Sequence, residues 1–155
     1  MVADEESIYF GAADNTLYRA SQNSGKITAS HATERIPVGR QTLSSNDIFV
    51  FLSQDIIMGQ GQGRGEILLA MDKSLSQIRW QLEPDFKWTA TKSYLWNQFL
   101  LTGTEYGEVI AYVTDNGSEK WRVQTSGAVR SIGRNGNTLF VGTLEGYVFA
   151  VKVGK

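Results

Sequence analysis

The sequence predicts an all-β fold, namely a β-propeller with an incomplete ring of about 3.5–4 four-stranded blades. Few stretches have the apolar spacing of an amphipathic helix. Short β-rich runs recur instead, such as "SIYFG", "DIFVFLS", "FLLTG" and "TLFVG", and each is bounded by turn-forming residues. The interval between them is 39 residues from Gly103 to Gly142 and 42 from Gly11 to Ser53. We therefore treat residues 1–155 as a single repeat domain.

Three of the four repeats contain a hairpin with the same register. The end of its first strand lies eight residues before a marker position in the second strand, and a short turn lies between them. Asn and Gly tolerate the left-handed backbone that such turns require. The marker pairs are Gly11 and Arg19, Gly103 and Ala111, and Gly142 and Ala150. The turns are Asp14-Asn15, Tyr106-Gly107 and Glu145-Gly146.

Two tryptophans extend this register to a fourth strand. Trp80 and Trp121 each lie ten residues after an alanine, Ala70 and Ala111, whereas the first repeat has Ala29 at this position. Another turn precedes the first strand of a repeat, at Asn46-Asp47, Trp96-Asn97 and Asn135-Gly136. The predicted repeats are approximately 7–38, 39–84, 85–125 and 126–155.

The glycine-rich stretch "IIMGQGQGRGEILLAMD" is interpreted as an enlarged hairpin loop. Ser53 lies 17 residues before Ala70 instead of eight, so about nine residues are inserted in the second repeat. A phosphate-binding loop needs a helix after it, but the strand-like "EILLAM" follows here. Arg64 is the cation in this loop and is retained as a candidate anion contact.

Composition excludes several classes of function. Fifteen basic and sixteen acidic side chains give a net charge of −1 without a long basic run, so nucleic acid is a poor partner. The absence of cysteine excludes disulfides, thiolate nucleophiles and Cys-ligated metal sites. No apolar run is long enough to cross a membrane as a helix. The acidic start "MVADEES" does not have the pattern of a signal peptide, so either the protein is cytosolic or a leader has been removed.

The stretches "LLTGTEYGEVIAYVTDNGSEKW" and "LFVGTLEGYVFAV", the latter preceded by "GAVRSIGRNGN", resemble the PQQ-like β-propeller repeat. That family includes quinoprotein alcohol dehydrogenases and the non-catalytic propeller lipoprotein of the bacterial outer-membrane assembly machine. The resemblance implies that Trp80 and Trp121 dock neighbouring blades, with Gly103 and Gly142 as strand-end markers, and that the protein is periplasmic. It also implies that the Ala29 position is a looser or terminal junction.

The enzymes of this family hold pyrroloquinoline quinone and calcium in the funnel near a catalytic aspartate. This sequence offers no vicinal cysteine pair and no Asp/Glu/Asn cluster with the spacing of a calcium site. We therefore assign no catalytic residue, no metal ligand and no cofactor from the sequence. The resemblance predicts the fold more strongly than the chemistry.

Counting strands predicts an open ring. The first repeat has three strands, the next two have four each and the last has three, which makes about fourteen. An open arc would expose the apolar faces of its terminal blades. Two copies could complete one ring, the chain could be part of a longer protein, or four narrow blades could close alone.

Aromatic residues are the main candidates for binding. Trp96 lies at a turn position where other repeats have Asn, so "SYLWNQ", which includes Tyr94, is a candidate partner contact unless Trp96 folds over its own blade. Trp88 begins a predicted innermost strand and either lines the channel mouth or packs in the core.

The predicted function is a non-catalytic scaffold that binds a protein partner, a second copy of itself, or both. The alternative is part of a quinoprotein dehydrogenase that uses pyrroloquinoline quinone and calcium. A further alternative is carbohydrate or peptide binding in the funnel, with Trp88 as a stacking platform.

Overall fold

The structure is a computed structural model that describes residues 1–38, 41–54, 66–86, 88–89 and 93–153. Regular structure in these residues is entirely β, and its strands form four antiparallel sheets, named blades 1 to 4 in chain order. Blade 1 contains β1 (Val2–Ala3), β2 (Ser7–Ala12), β3 (Thr16–Ser21) and β4 (Ile27–Ala32), and blade 2 contains β5 (Ile36–Pro37), β6 (Thr42–Leu43), β7 (Asp47–Ser53), β8 (Ile67–Asp72) and β9 (Ile78–Leu82).

The last two blades differ by one strand. Blade 3 has four strands in sequential order, whereas blade 4 has three in the described chain. Blade 3 contains β10 (Tyr94–Trp96), β11 (Phe99–Gly103), β12 (Glu108–Val113) and β13 (Glu119–Gln124), and blade 4 contains β14 (Val129–Asn135), β15 (Thr138–Thr143) and β16 (Val148–Lys152).

The predicted hairpin turns are confirmed by the backbone. Asn15, Gly107 and Gly146 have φ values of 61°, 83° and 85°, as the residue types at these turns require. A second set of turns joins the third strand of a blade to the fourth. In these turns Gly25 and Gly117 have a left-handed backbone conformation. Leu75 has it as well, with a φ of 61°, although leucine seldom adopts this conformation.

Hydrogen bonds to Asp72 hold the unusual Leu75 turn together. The backbone amides of Ser76 and Gln77 donate to Asp72 Oδ1 at 3.0 and 2.6 Å, and the Ser74 hydroxyl donates to Oδ2. The Leu75 side chain is buried against the core between blades 1 and 2. Burial and the Asp72 carboxylate thus replace the glycine that the other two turns use.

The hydrophobic core consists of three clusters, one at each junction between successive blades. The first joins blades 1 and 2, the second joins blades 2 and 3, and the third joins blades 3 and 4. Within the described residues, no cluster of buried apolar side chains joins blade 4 to blade 1. The blades therefore form an incomplete ring.

The predicted strand count is wrong in the first two repeats. Val2–Ala3 pairs with β2, so blade 1 has four strands instead of three. In blade 2 the innermost strand is divided into two short segments that both pair with β7. The three strands predicted for the last repeat are the three that the structure describes there.

Candidate functional site

The junction between blades 2 and 3 includes the indole of Trp80 on β9. Its Nε1 donates a hydrogen bond of 2.7 Å to the carbonyl oxygen of Thr114 in blade 3. The ring also lies against the next turn, because a Cβ atom added to Gly117 would lie 2.7 Å from it. Gly117 has a φ of 71°, so this turn uses glycine for its backbone as well as for the approach of the indole. In this geometry Trp80 docks one blade on the next.

Trp121 occupies the same position in blade 3, but its surroundings are open. It pairs with Ala111 as Trp80 pairs with Ala70. Among the described residues, blade 4 has no turn equivalent to that of Gly117, and a groove of about 580 Å³ lies beside the ring instead. The lining of the groove includes Trp96, Phe99, Trp121, Val153, Lys120 and Lys152.

Trp96 is not an exposed residue at a turn tip. It ends β10 and is only 7% exposed, within the cluster between blades 3 and 4. The Arg134 guanidinium lies 4.8 Å from its ring centroid, a cation–π contact from the next blade. Its indole N–H has no hydrogen-bond partner in the described part of the chain. Trp96 therefore packs between its own blade and the next one, which neither of the predicted alternatives described, and its side chain still borders the groove.

The charge around the groove is unbalanced. Arg122 on β13 is paired, since it donates to Glu108 at 2.8 Å and to Glu119 at 2.6 Å, and its guanidinium lowers the pKa of Glu119. Lys120 and Lys152 form no ion pair with a described residue. No acidic side chain is among the described residues that line the groove. The groove therefore combines an apolar surface with two ammonium groups that have no acidic partner among the described residues.

Trp88 belongs to the core and not to a binding surface. It is 1% exposed, and its ring centroid lies 5.2 Å from that of Phe51, 5.6 Å from Phe86 and 6.5 Å from Tyr112. The same burial raises the pKa of Tyr112 to about 12. Of the two predicted positions, packing in the core is the one observed, and the buried ring is not available as a stacking platform.

The remaining predicted residues are distributed along the array. Tyr94 is partly buried against the cluster between blades 3 and 4. A Cβ on Gly103 would lie 2.5 Å from the side chain of Val129, so glycine permits the close approach of β11 and β14. Gly142 has the same position in blade 4 but lies near Ser131 of its own blade. Arg64 falls outside the described residues.

Two kinds of feature are absent from the described residues. No three His, Asp or Glu side chains there are grouped so that they could hold a metal ion. No helix in this part of the chain is long and apolar enough to cross a membrane.

No family model matches the chain, and no curated protein matches its sequence. Solved structures match it along almost its whole length. The computationally designed protein Ika4 is 14% identical with a TM-score of 0.76, over 98% of this chain and 88% of that one. The fold is that of a β-propeller.

Two other structures support this fold. The designed protein Ika8 has the same identity and TM-score, but this chain covers only 44% of it. BamB from Moraxella catarrhalis is 13% identical with a TM-score of 0.54, and this chain covers 57% of it. The chain thus spans about half the length of these two propellers. Likeness at this level of identity establishes the fold alone.

Sequence reasoning missed the groove. A signal for it was present, because Trp121 occupies the docking position while the blade that follows was predicted to have only three strands. The contribution of Lys120 and Lys152 depends on how blades 3 and 4 meet, and the repeat pattern does not specify this.

Proposed function

We propose that the chain is a non-catalytic propeller scaffold of the PQQ-like type that binds proteins and completes its ring with a second copy of itself. The observation that carries this proposal is that both ends of the array present apolar sheet faces without a neighbouring blade in the described chain. We name these the free faces of blade 1 and blade 4.

The free face of blade 4 corresponds to a fully buried face of blade 3. In blade 3, Leu101 and Val109 are 0% exposed because blade 4 covers them. The equivalent residues of blade 4 are Phe140 and Val148, and they are 41% and 74% exposed. Covering these side chains is favourable at roughly 25 cal/mol per Å² of apolar surface. The face thus has the composition of a blade junction without its partner.

The free face of blade 1 has a matching apolar character. Tyr9 and Leu17 lie in the core against blade 2, and alternation along the strands places Phe10 and Tyr18 on the opposite face. These two rings stack with centroids 5.5 Å apart and are only partly buried. Ile27, in register with Ala20 on this side, is 53% exposed.

Charge favours joining blade 4 of one copy to blade 1 of the other. Residues 126–153 contain three basic side chains and one acidic side chain, whereas residues 1–38 contain five acidic and three basic ones. Opposite charges favour such an interface, and pairing two like faces would bring like charges together. A head-to-tail pair of copies would make a closed ring of eight blades, within the range found for propellers.

Crosslinking tests this arrangement directly, because the chain has no native cysteine. The variants Ile27→Cys and Val148→Cys would be purified, mixed at micromolar concentration and treated with a short bismaleimide. We expect a covalent dimer in the mixture and little from either variant alone. Dimers formed equally by one variant alone would contradict the head-to-tail arrangement, and no dimer in any sample would contradict self-completion.

A chain that carries both substitutions distinguishes closure of the ring within one copy from closure by two copies. If four blades close alone, the crosslink forms inside the monomer and no covalent dimer appears.

The non-catalytic part of the proposal is tested by adding pyrroloquinoline quinone with calcium to the wild-type chain. We expect no change in the melting temperature, and saturable stabilisation would support the dehydrogenase alternative instead.

A further inference from the structure

The outer edge of β16 has no strand paired with it among the described residues. The amide of Val153 donates to Asn137 and that of Thr143 donates to Tyr147, both at 2.9 Å. In an antiparallel pair these bonds alternate, so Phe149 and Val151 also direct their backbone groups towards β15. The backbone groups of Val148, Ala150 and Lys152 are therefore directed away from the sheet. Among the described strands, only β15 pairs with β16.

Every other blade has a fourth strand at this edge. In blades 2 and 3 that strand places a tryptophan opposite an alanine, in the pairs Ala70 with Trp80 and Ala111 with Trp121. Blade 1 has β4 in the equivalent place. Ala150, at the same register position of β16, has no such partner in the described residues. Blade 4 thus has the geometry to accept one more antiparallel strand.

The groove beside this edge indicates which strand would fit. Side chains opposite Phe149 and Val151 would lie on the same face as these residues, towards blade 3. They would meet the apolar lining that Trp121 and Val153 provide. Lys120 and Lys152 lie beside this lining, and neither forms an ion pair with another residue in the described part of the chain. An extended segment with alternate apolar residues and acidic residues near one end is complementary to this surface.

We propose that the edge of β16 and the adjoining groove bind an extended acidic peptide, which pairs antiparallel to β16 as the fourth strand of blade 4. Main-chain hydrogen bonds to Val148, Ala150 and Lys152 supply affinity, and the groove selects apolar and acidic side chains. The inference rests on the proposed function only in taking the partner to be a protein. It does not require a second copy of the chain, because the edge and the free face are different surfaces.

The direct test uses a fluorescent peptide, Glu-Glu-Val-Thr-Val-Thr-Val, and measures its binding to the wild-type protein by fluorescence anisotropy. We expect saturable binding with a Kd below about 1 mM, and weaker binding of a peptide with Lys in place of both Glu. Two N-methylated peptides provide the matched control. Methylation of the amides that face β16 should abolish binding, whereas methylation of the alternate amides should not.

Protein variants test the charge complementarity. Lys152→Glu and Lys120→Glu should each weaken binding about tenfold, because an ion pair is replaced by a repulsion. Lys26→Glu makes the same change on blade 1 and should leave the affinity unchanged. Circular dichroism would show that each variant is folded, and Lys152→Gln provides a milder replacement if Lys152→Glu is not.

The inference would be overturned by no saturation with the acidic peptide, by equal binding of both N-methylated peptides, or by equal affinity for the lysine variants. Release of dimers into monomers by the peptide would show instead that a second copy occupies the edge, which also overturns it. A crosslinked dimer without peptide binding would defeat only this inference. Peptide binding by a monomer would defeat only the self-completed ring.

Discussion

Replacement of Gly117 by alanine tests the contact through which blade 2 docks on blade 3. An added Cβ would lie 2.7 Å from the Trp80 ring, a distance at which the indole or the turn must move. Gly25 occupies the same turn position in blade 1, with a φ of 69° against 71° for Gly117. A Cβ at Gly25 would have no atom within 4 Å. The two replacements therefore differ mainly in the collision with Trp80.

The expected cost follows from these two environments. Alanine in the left-handed region costs roughly 1–2 kcal/mol at either position. At Gly117, overpacking adds about 1–3 kcal/mol. Displacement of the indole from the Thr114 carbonyl adds about 0.5–1.5 kcal/mol for the lost hydrogen bond. Gly117→Ala should therefore lower the free energy of unfolding by about 1.5–4.5 kcal/mol more than Gly25→Ala.

Urea unfolding followed by circular dichroism measures both costs. The same pair of replacements in a Trp80→Ala background completes a double-mutant cycle. In that background the costs of Gly117→Ala and Gly25→Ala should differ by less than about 1 kcal/mol. Equal costs for the two glycines in the wild-type background would refute the docking role of Trp80. A difference that persists without the indole would refute it as well.

Three other predictions concern single contacts. Gly103→Ala should destabilise the fold by about 1–3 kcal/mol because its Cβ would meet Val129, whereas Gly133→Ala, with nothing within 4 Å, should change the unfolding free energy little. Burial alone would raise the pKa of Asp72, but hydrogen bonds from Ser74, Gln77 and Ser76 outweigh it and lower the pKa to about 2, from an ordinary 3.8. Its contribution to stability is thus complete above about pH 4 and is lost as the pH falls towards 2, a loss that urea titrations should show for wild type and not for Asp72→Ala. Arg134→Ala should cost about 0.5–1 kcal/mol in melting experiments, and Arg130→Ala close to nothing, because only Arg134 lies over the Trp96 ring.

Much of the fold could be predicted because its turns have local causes. Asn15, Gly107 and Gly146 occur where a left-handed residue is needed, so the hairpins can be placed from residue type alone. The innermost strand Val2–Ala3 was missed because two residues carry no periodicity. Leu75 could not have been predicted to be left-handed, since its conformation depends on burial and on Asp72.

The candidate site was less predictable, because it depends on contacts between blades. Trp96 appears in the sequence as an aromatic turn residue, but contacts with Arg134 and the adjacent core bury it. Trp88 was predicted to begin an innermost strand, but it forms only an isolated bridge with Thr104, and β10 at Tyr94–Trp96 is the first strand of blade 3. Aromatic residues from blades 2 and 3 enclose its ring. Repeat register can assign equivalent positions, yet it does not specify which neighbours are present at each one. The groove beside Trp121 exists for this reason.

The solution mass of the wild-type chain tests the central claim most directly. Multi-angle light scattering across a range of micromolar concentrations should give twice the chain mass of 17.2 kDa, as expected for two arcs that complete one ring. A constant mass of 17.2 kDa over the whole range would contradict completion of the ring by a second copy.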